Sequence, residues 1–343
     1  MKVIRPICAD DLDILHQIAI DTGPGFTSLP DNRELLEQRI SATQKALHSD
    51  IQQCGPEHYL FVMEETDTGE VVGTCGIDAA VGLTSPFYHY RIGTVVHASR
   101  ELKVHNSFRT LYLCNDYTGC TEVCTLYLQP DARHSANGSL LSKSRFLFMA
   151  EHPQRFAKKV IAEMRGYTDE QGQSPFWDGL GKRFFSMEYS EADYLTGSGN
   201  KVFIAELMPK HSIYIHLLPD EAQAVIGAVH PNTEPARKML ESEGFRYEEY
   251  VDIFDGGPTL AIRLDDIRAI HNSRYQKAHI GEVDESGPEF LISNTGLADF
   301  RCTKAHINNS GSITTISQAT ADALQVSAGD TLRIVELKGR VTS

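Results

Sequence analysis

LYLQPDARHSANGSLLSKSRFLFMA, Leu126–Ala150, decides how the rest of the chain is read. A β-type run stops at Pro130. Arg133, a loop of small polar residues, Asn137, Gly138 and Ser139 follow. An amphipathic helix then begins, with Leu140, Leu141, Phe146, Leu147 and Met149 on its packing face. The first turn of a helix carries unpaired N–H groups and a partial positive charge, a combination that suits phosphate. Gly138 lets a phosphate approach the backbone with no Cβ in the way, and Arg133 can add a charge-assisted contact. A plain strand–loop–helix connection with ordinary capping would read the same way. The spacing is neither a P-loop nor a dinucleotide G-x-G-x-x-G.

Upstream, Lys2–Pro6 reads as a strand, followed by an acidic cap at Asp10 and Asp11 and a helix through Leu12, Leu15, Ile18 and Ala19. A loop dense in glycine and proline, TGPGFTSLPDNRE, leads to a second amphipathic helix from about Arg33 to Leu47. Tyr59–Met63 is a strand. A D-T-G turn then folds the chain into a hairpin whose return strand starts at Val71 and Val72. Further β-type runs lie between Pro86 and Leu113 and over Glu122–Leu128.

Downstream, the pattern predicts a helix from His152 to about Arg165, a strand over Ala224–Val229 ending at His230, and a short helix over Glu234–Glu243. After Asp265 the composition turns Ser/Thr-rich with short strand signals. The expected architecture is α/β (α+β): a main domain over 1–265 with a loop-rich insertion at about 152–222, then a small β-barrel-like subdomain over 266–343.

A chain of 343 residues with 41% hydrophobic content can build a core without disulfides or metal. No apolar run is long enough to span a bilayer, and the start MKVIRPICADDLD lacks a signal-peptide core, so the cytoplasm is the expected location. The seven cysteines form no C-x-x-C pair and fit buried thiols in a reducing compartment. The net charge of −14 argues against nucleic-acid binding and is compatible with a cationic small substrate.

The ordered series of VIRP with its capped helix, the hairpin FVMEETDTGEVVG, the strand-to-helix loop and a terminal pattern of Asn232, Ala236, Gly244 and Phe245 resembles the GNAT superfamily of acyl-CoA N-acyltransferases. Longer segments, among them TGPGFTSLPDNRE, PFYHYRIGTVVHAS, TLYLCNDYTG, SPFWDGLG, EADYLTGSGNKVFIAELMP and EGFRYEEYVDIFDGGPT, resemble the arginine N-succinyltransferase family over most of residues 1–265. The resemblance implies two splayed central strands with the pantetheine arm of succinyl-CoA between them. It implies direct transfer of succinyl from succinyl-CoA, the co-substrate, to the α-amino group of L-arginine, with no metal and no permanently bound cofactor. It makes the backbone of Leu126 the donor to the thioester oxygen and His230 the proton donor to the leaving thiolate. Arg133, Asn137, Gly138 and Ser139 would then cradle the pyrophosphate.

For the acceptor, the loop residues Thr22, Thr27 and Ser28 offer hydroxyls over the site. Asp116, Glu122, Asp252 and Asp255 are carboxylates available to a guanidinium. Arg91 and His97 are cations available to the succinyl carboxylate. As structure alone, Leu126 is a core leucine and His230 caps the following helix. Cys124 shows no base partner and reads as core rather than nucleophile.

Three alternatives stay open: ornithine as acceptor, a non-catalytic CoA-binding partner of a catalytic sister subunit, and a DNA-binding tail, which the acidic balance disfavours. A homo-oligomer, or a heterodimer with a sister subunit, is the expected assembly, with neither nucleic acid nor membrane as partner.

Overall fold

The structure is a computed structural model and describes residues 1–23, 26, 28–199 and 202–339. Strand β1 (Lys2–Pro6) leads into helices α1 (Leu12–Thr22) and α2 (Arg33–Leu47). The antiparallel strands β2 (His58–Glu65), β3 (Val71–Asp78), β4 (His89–Ser99), β5 (Val104–Cys114) and β6 (Thr121–Leu128) follow. Helix α3 (Asn137–Glu151) and strand β7 (Lys159–Glu163) come next.

A largely helical stretch carries α4 (Lys182–Phe185), α5 (Tyr189–Gly197), α6 (Val202–Leu207), β8 (Ile213–Tyr214) and α7 (Asp220–Val225). Then come α8 (Glu234–Ser242), β9 (Arg246–Asp252), β10 (Pro258–Arg263) and α9 (Arg268–His271). The C-terminal strands are β11 (Arg274–Ile280), β12 (Glu289–Ser293), β13 (Cys302–His306), β14 (Asn308–Ser310) and β15 (Ile313–Ile316), then α10 (Gln318–Leu324) and β16 (Thr331–Glu336).

Among the described residues all strands join one mixed sheet, ordered β14-β15-β11-β16-β12-β13-β1-β2-β3-β6-β7-β10-β9-β4-β5-β8. Mixed sheet, flanking helices and a splayed strand pair are the α/β architecture expected. Alternation along the strands sorts side chains to two faces. Tyr59, Phe61 and Met63 of β2 enter the large core that also holds α3, whereas Leu60 and Val62 pack with Ile18 of α1 and Leu36 and Ile40 of α2. The C-terminal strands continue the same sheet, because β13 pairs with β1 at Thr303–Val3 and Cys302–Ile4.

Three expectations fail locally. Helix α3 is not amphipathic: Ser142, Lys143, Ser144 and Arg145 are buried along with the apolar residues. Its polar side is enclosed and paired, with Lys143 Nζ 2.9 Å from Glu243 and Arg145 bonded to backbone carbonyls. The helix expected from His152 to Arg165 is a short 3-10 turn, Pro153–Arg155, followed by β7. Val160, Ile161 and Ala162 form a short apolar run buried on both faces, which periodicity cannot separate from a helix segment. The strand expected over Ala224–Val229 is the end of α7 and a turn at Gly227, whose φ is +77°. The acidic start Pro219-Asp220-Glu221 favours a helix there, and only Val229 makes a bridge, to Gly166.

Candidate active site

Strands β6 and β7 run parallel and pair only at Thr121–Val160 and Glu122–Ile161. Beyond Glu122 they part, and a cavity of about 370 Å³ opens between them. Val123 to Tyr127 line it from β6, and Ala162 to Arg165 from β7 and its continuation. A second cavity of about 370 Å³ lies under Ser28 and α2. The two share Ser28, Glu122, Glu163, Asp252 and Phe254, so they adjoin along a common wall.

The strand β6 is kinked where it borders the cavity. Gly76 of β3 pairs with Cys124 and Thr74 with Tyr127, so Cys75 faces two residues, Thr125 and Leu126. Thr125 takes up the extra residue with φ +53°. A bulge of this kind interrupts the ladder and leaves a backbone group unpaired. Arg145, enclosed in α3, braces the kink: its Nη1 donates to the carbonyls of Cys124 at 3.0 Å and Gly76 at 3.4 Å. Its remaining donors are held by Ser142, Nε on the carbonyl at 2.9 Å and Nη2 on Oγ at 3.0 Å.

At the start of α3, two successive residues, Ser135 and Ala136, have positive φ, and no side chain caps the helix. The side chain of Asn137 is turned inward and donates from Nδ2 to the Ala132 carbonyl, so it fixes the loop rather than facing outward. Gly138 is half-buried, and a Cβ there would meet only Met239, at 3.9 Å. The protein itself therefore leaves space at this backbone. Ser139 Oγ rests 3.6 Å from Met239 Sδ. Arg133 lines the splay cavity and is pinned by Nε to the Leu128 carbonyl at 2.9 Å, leaving its terminal amino groups.

His230 follows the Gly166–Val229 bridge, and its N–H donates to the Arg165 carbonyl at 2.9 Å. Its Nδ1 accepts the N–H of Asn232 at 3.1 Å, so the ring does cap the next turn. Arg165, Asn232 and Thr233 line the splay cavity, whereas His230, bonded to the first two, does not itself line it. Burial, reinforced by the Arg165 charge, lowers its pKa and favours the neutral ring. With Nδ1 engaged as acceptor, Nε2 carries the proton.

Other expected residues separate. Ser28 and Thr22 line the splay cavity, and Thr27 lies outside the described residues. Glu122 and Asp252 line both cavities. Asp255 borders the splay cavity, but its carboxylate is committed to the backbone of Gly166 and Gly257 at 2.6 and 2.8 Å. A Cβ at Gly166 would lie 2.5 Å from the Asp255 carbonyl, so this close approach requires glycine.

Arg91 and Asp116 border neither cavity. Both meet Tyr250, the guanidinium 5.8 Å from the ring centroid and the carboxylate accepting the hydroxyl at 2.8 Å. His97 bonds the Tyr214 hydroxyl at 2.8 Å near the far end of the β4–β5 hairpin. Cys124 is not core: it lines the splay cavity. Burial first, then Asp78 and Glu122, raise its pKa well above the ordinary thiol value, so it holds its proton.

The second cavity is rich in carboxylates, with Glu57, Asp78, Glu122, Glu163 and Asp252 against one arginine, Arg39. Sequence reading missed Arg165, whose Nε is buried without a partner among the described residues. It also missed His58, which is hydrogen-bonded through Nδ1 to Asp78. The only signal was register: a hairpin turning at D-T-G places His58 opposite Asp78.

A family model described as arginine N-succinyltransferase beta subunit matches residues 2–269, and one for its C-terminal domain matches 276–336. Proteins named arginine N-succinyltransferase from Salmonella paratyphi B and Salmonella newport are each 52% identical over 338 residues, 98% of either chain. The solved structure of arginine/ornithine succinyltransferase subunit AI from Pseudomonas aeruginosa superposes with a TM-score of 0.91 at 41% identity, covering 99% of both chains.

Proposed function

The chain belongs to the arginine N-succinyltransferase family, and on that premise we propose how its residues carry succinyl from succinyl-CoA to the α-amino group of L-arginine. It is an acyltransferase. The observation that carries the residue-level reading is the bulged strand β6 beside a cavity that adjoins an acid-rich one.

Succinyl-CoA occupies the splay between β6 and β7. Its pyrophosphate meets the uncapped start of α3 at Gly138 and Ser139, with Arg133 adding charge. The thioester oxygen accepts the N–H of Leu126, held by the bulge that Arg145 braces, so the donor is in place before negative charge develops. Arg165 receives the succinyl carboxylate, which would satisfy its buried Nε. Arginine enters the second cavity, where carboxylates including Glu122 and Asp252 suit a guanidinium.

Both substrates are bound together, and the amine attacks the thioester directly. Proximity supplies much of the acceleration. His230 presents Nε2–H to the departing sulfur, and the proton it delivers is replaced by one the attacking nitrogen sheds as the amide forms. A protonated Cys124 supports direct transfer over an acyl-cysteine. No described helix is long and apolar enough to cross a membrane. We place the enzyme in the cytoplasm, as a homo-oligomer or paired with a sister subunit, with no metal or resident cofactor in the reaction.

The test is release of free thiol from succinyl-CoA with arginine or ornithine as acceptor. Release that requires arginine, with succinylation on the α-nitrogen, is expected. A folded sample that binds CoA and gives no turnover with arginine overturns the reading.

A further inference from the structure

We propose that His58, positioned by Asp78, is the general base that removes the proton from the acceptor's α-ammonium group. The inference rests on the acyl-transfer reading above, which names a proton donor for the sulfur but nothing to free the amine's lone pair. An ammonium group cannot attack a thioester, and histidine is the side chain best suited to exchange protons near neutrality.

His58 opens β2 and lies directly opposite Asp78 of β3, which lies opposite Glu122 of β6. Three adjacent strands thus present His58, Asp78 and Glu122 in one row across the sheet. The face is fixed by alternation. Leu60 and Val62 pack toward α1 and α2, so His58, at the same parity, faces that side as well. The acid-rich cavity lies there, and His58 lines it.

Two features distinguish this histidine from a structural one. Its Nδ1 is bonded to the Asp78 carboxylate, which sets the proton on Nδ1 and leaves the Nε2 lone pair available. Its Nε2 is buried and has no hydrogen-bond partner among the described residues. A buried polar atom with no partner costs free energy unless something that binds there supplies one. The ring is also close to the acyl side. Ligand-forming atoms of His58, Asp78 and Cys124 all lie within 4.8 Å of one another, and Cys124 lines the splay cavity. The other charged groups in the acceptor cavity are Glu57, Glu122, Glu163, Asp252 and Arg39, a mainly anionic set that attracts an ammonium substrate.

His58 Nε2 takes one proton from the ammonium. The freed lone pair forms the C–N bond at the thioester carbon, and the C–S bond breaks with its electron pair on sulfur. A second proton leaves the nitrogen as the amide forms, the thiol gains one through His230, and His58 returns its own to water. The base is thus the mirror of His230: one ring is held with Nε2 bare, the other with Nε2 protonated.

The experiment compares wild type, His58→Gln and Asp78→Asn by thiol release at saturating succinyl-CoA and arginine across pH 6 to about 10, the range that brackets imidazole and amine titration. Circular dichroism and calorimetric CoA binding are followed alongside. For His58→Gln, kcat at neutral pH should fall roughly 10²–10⁴-fold with CoA affinity unchanged. The deficit should shrink as rising pH deprotonates the amine without help. Asp78→Asn should lose less and move the acid limb of the profile. A His58→Gln enzyme with wild-type kcat and the same acid limb overturns the proposal while leaving the function intact. If His58→Gln does not fold, an acid limb unmoved in Asp78→Asn overturns it. Wild type that binds CoA but never turns over arginine overturns the acyl-transfer reading and the base with it.

Discussion

At His230 the ring is fixed by Asn232 on one nitrogen, and its charged form is disfavoured by burial and by Arg165. Asparagine in its place can still accept from Asn232 but cannot pass a proton. His230→Asn should therefore lower kcat roughly 10²–10⁴-fold while CoA affinity stays near that of wild type, measured by steady-state rates and calorimetry. Because Cys124 keeps its proton, mass spectrometry of the intact wild type mixed with succinyl-CoA alone should show no succinyl adduct. A stable gain of one succinyl group would replace direct transfer with a covalent path. Sequence singled out Gly138 by its strand–loop–helix setting and His230 through the family resemblance. It could not locate His58 or Arg165, whose proposed roles depend on partners on other strands, Asp78 twenty residues away and a cavity wall assembled from distant segments. Arg91 and Asp116 misled for the same reason: charge is visible in a sequence, but the Tyr250 that engages both is not.

Helix α3 performs two tasks at the element scale. Its first turn is open to a ligand, while Arg145 of its second half holds the bulge of β6. These tasks separate by mutation. Gly138→Asp adds a carboxylate at the open turn, where the protein leaves room for a Cβ. Calorimetry should show CoA affinity reduced at least 10-fold, about 1.4 kcal/mol, with the melting temperature little changed. Equal affinity would exclude this turn as the pyrophosphate site. The existence of α3 and of the β2–β3 hairpin was legible because both carry strong local signals. Strand β7 was not, since its three buried residues, Val160, Ile161 and Ala162, have no polar alternation to mark their period. Nor was the enclosure of α3. Its Lys and Arg read as a solvent face until Glu243 and the β-bulge carbonyls are brought against them.

Across the whole molecule, Glu243 joins regions far apart in sequence. It is 1% exposed and accepts from Lys143 of α3 at 2.9 Å, from Arg268 of α9 at 2.7 Å and from the Ala269 N–H at 2.8 Å. Lys143 and Arg268 also donate to the carbonyls of Leu337 and Glu336 beside β16. Removing one member of a buried ionic network strands its partners, so Glu243→Ala should cost about 3–5 kcal/mol in denaturant unfolding. A loss below 1 kcal/mol would mean that water reaches the cations and replaces the carboxylate. The tie continues at the far end of α3, where Glu151 holds Arg333 of β16 at 2.9 Å. The helix whose first turn is left uncapped is therefore moored along its length to the C-terminal part of the sheet. Arg268 and Arg333 thus act as stays: slackening either would be felt in a helix from which both are far removed in sequence.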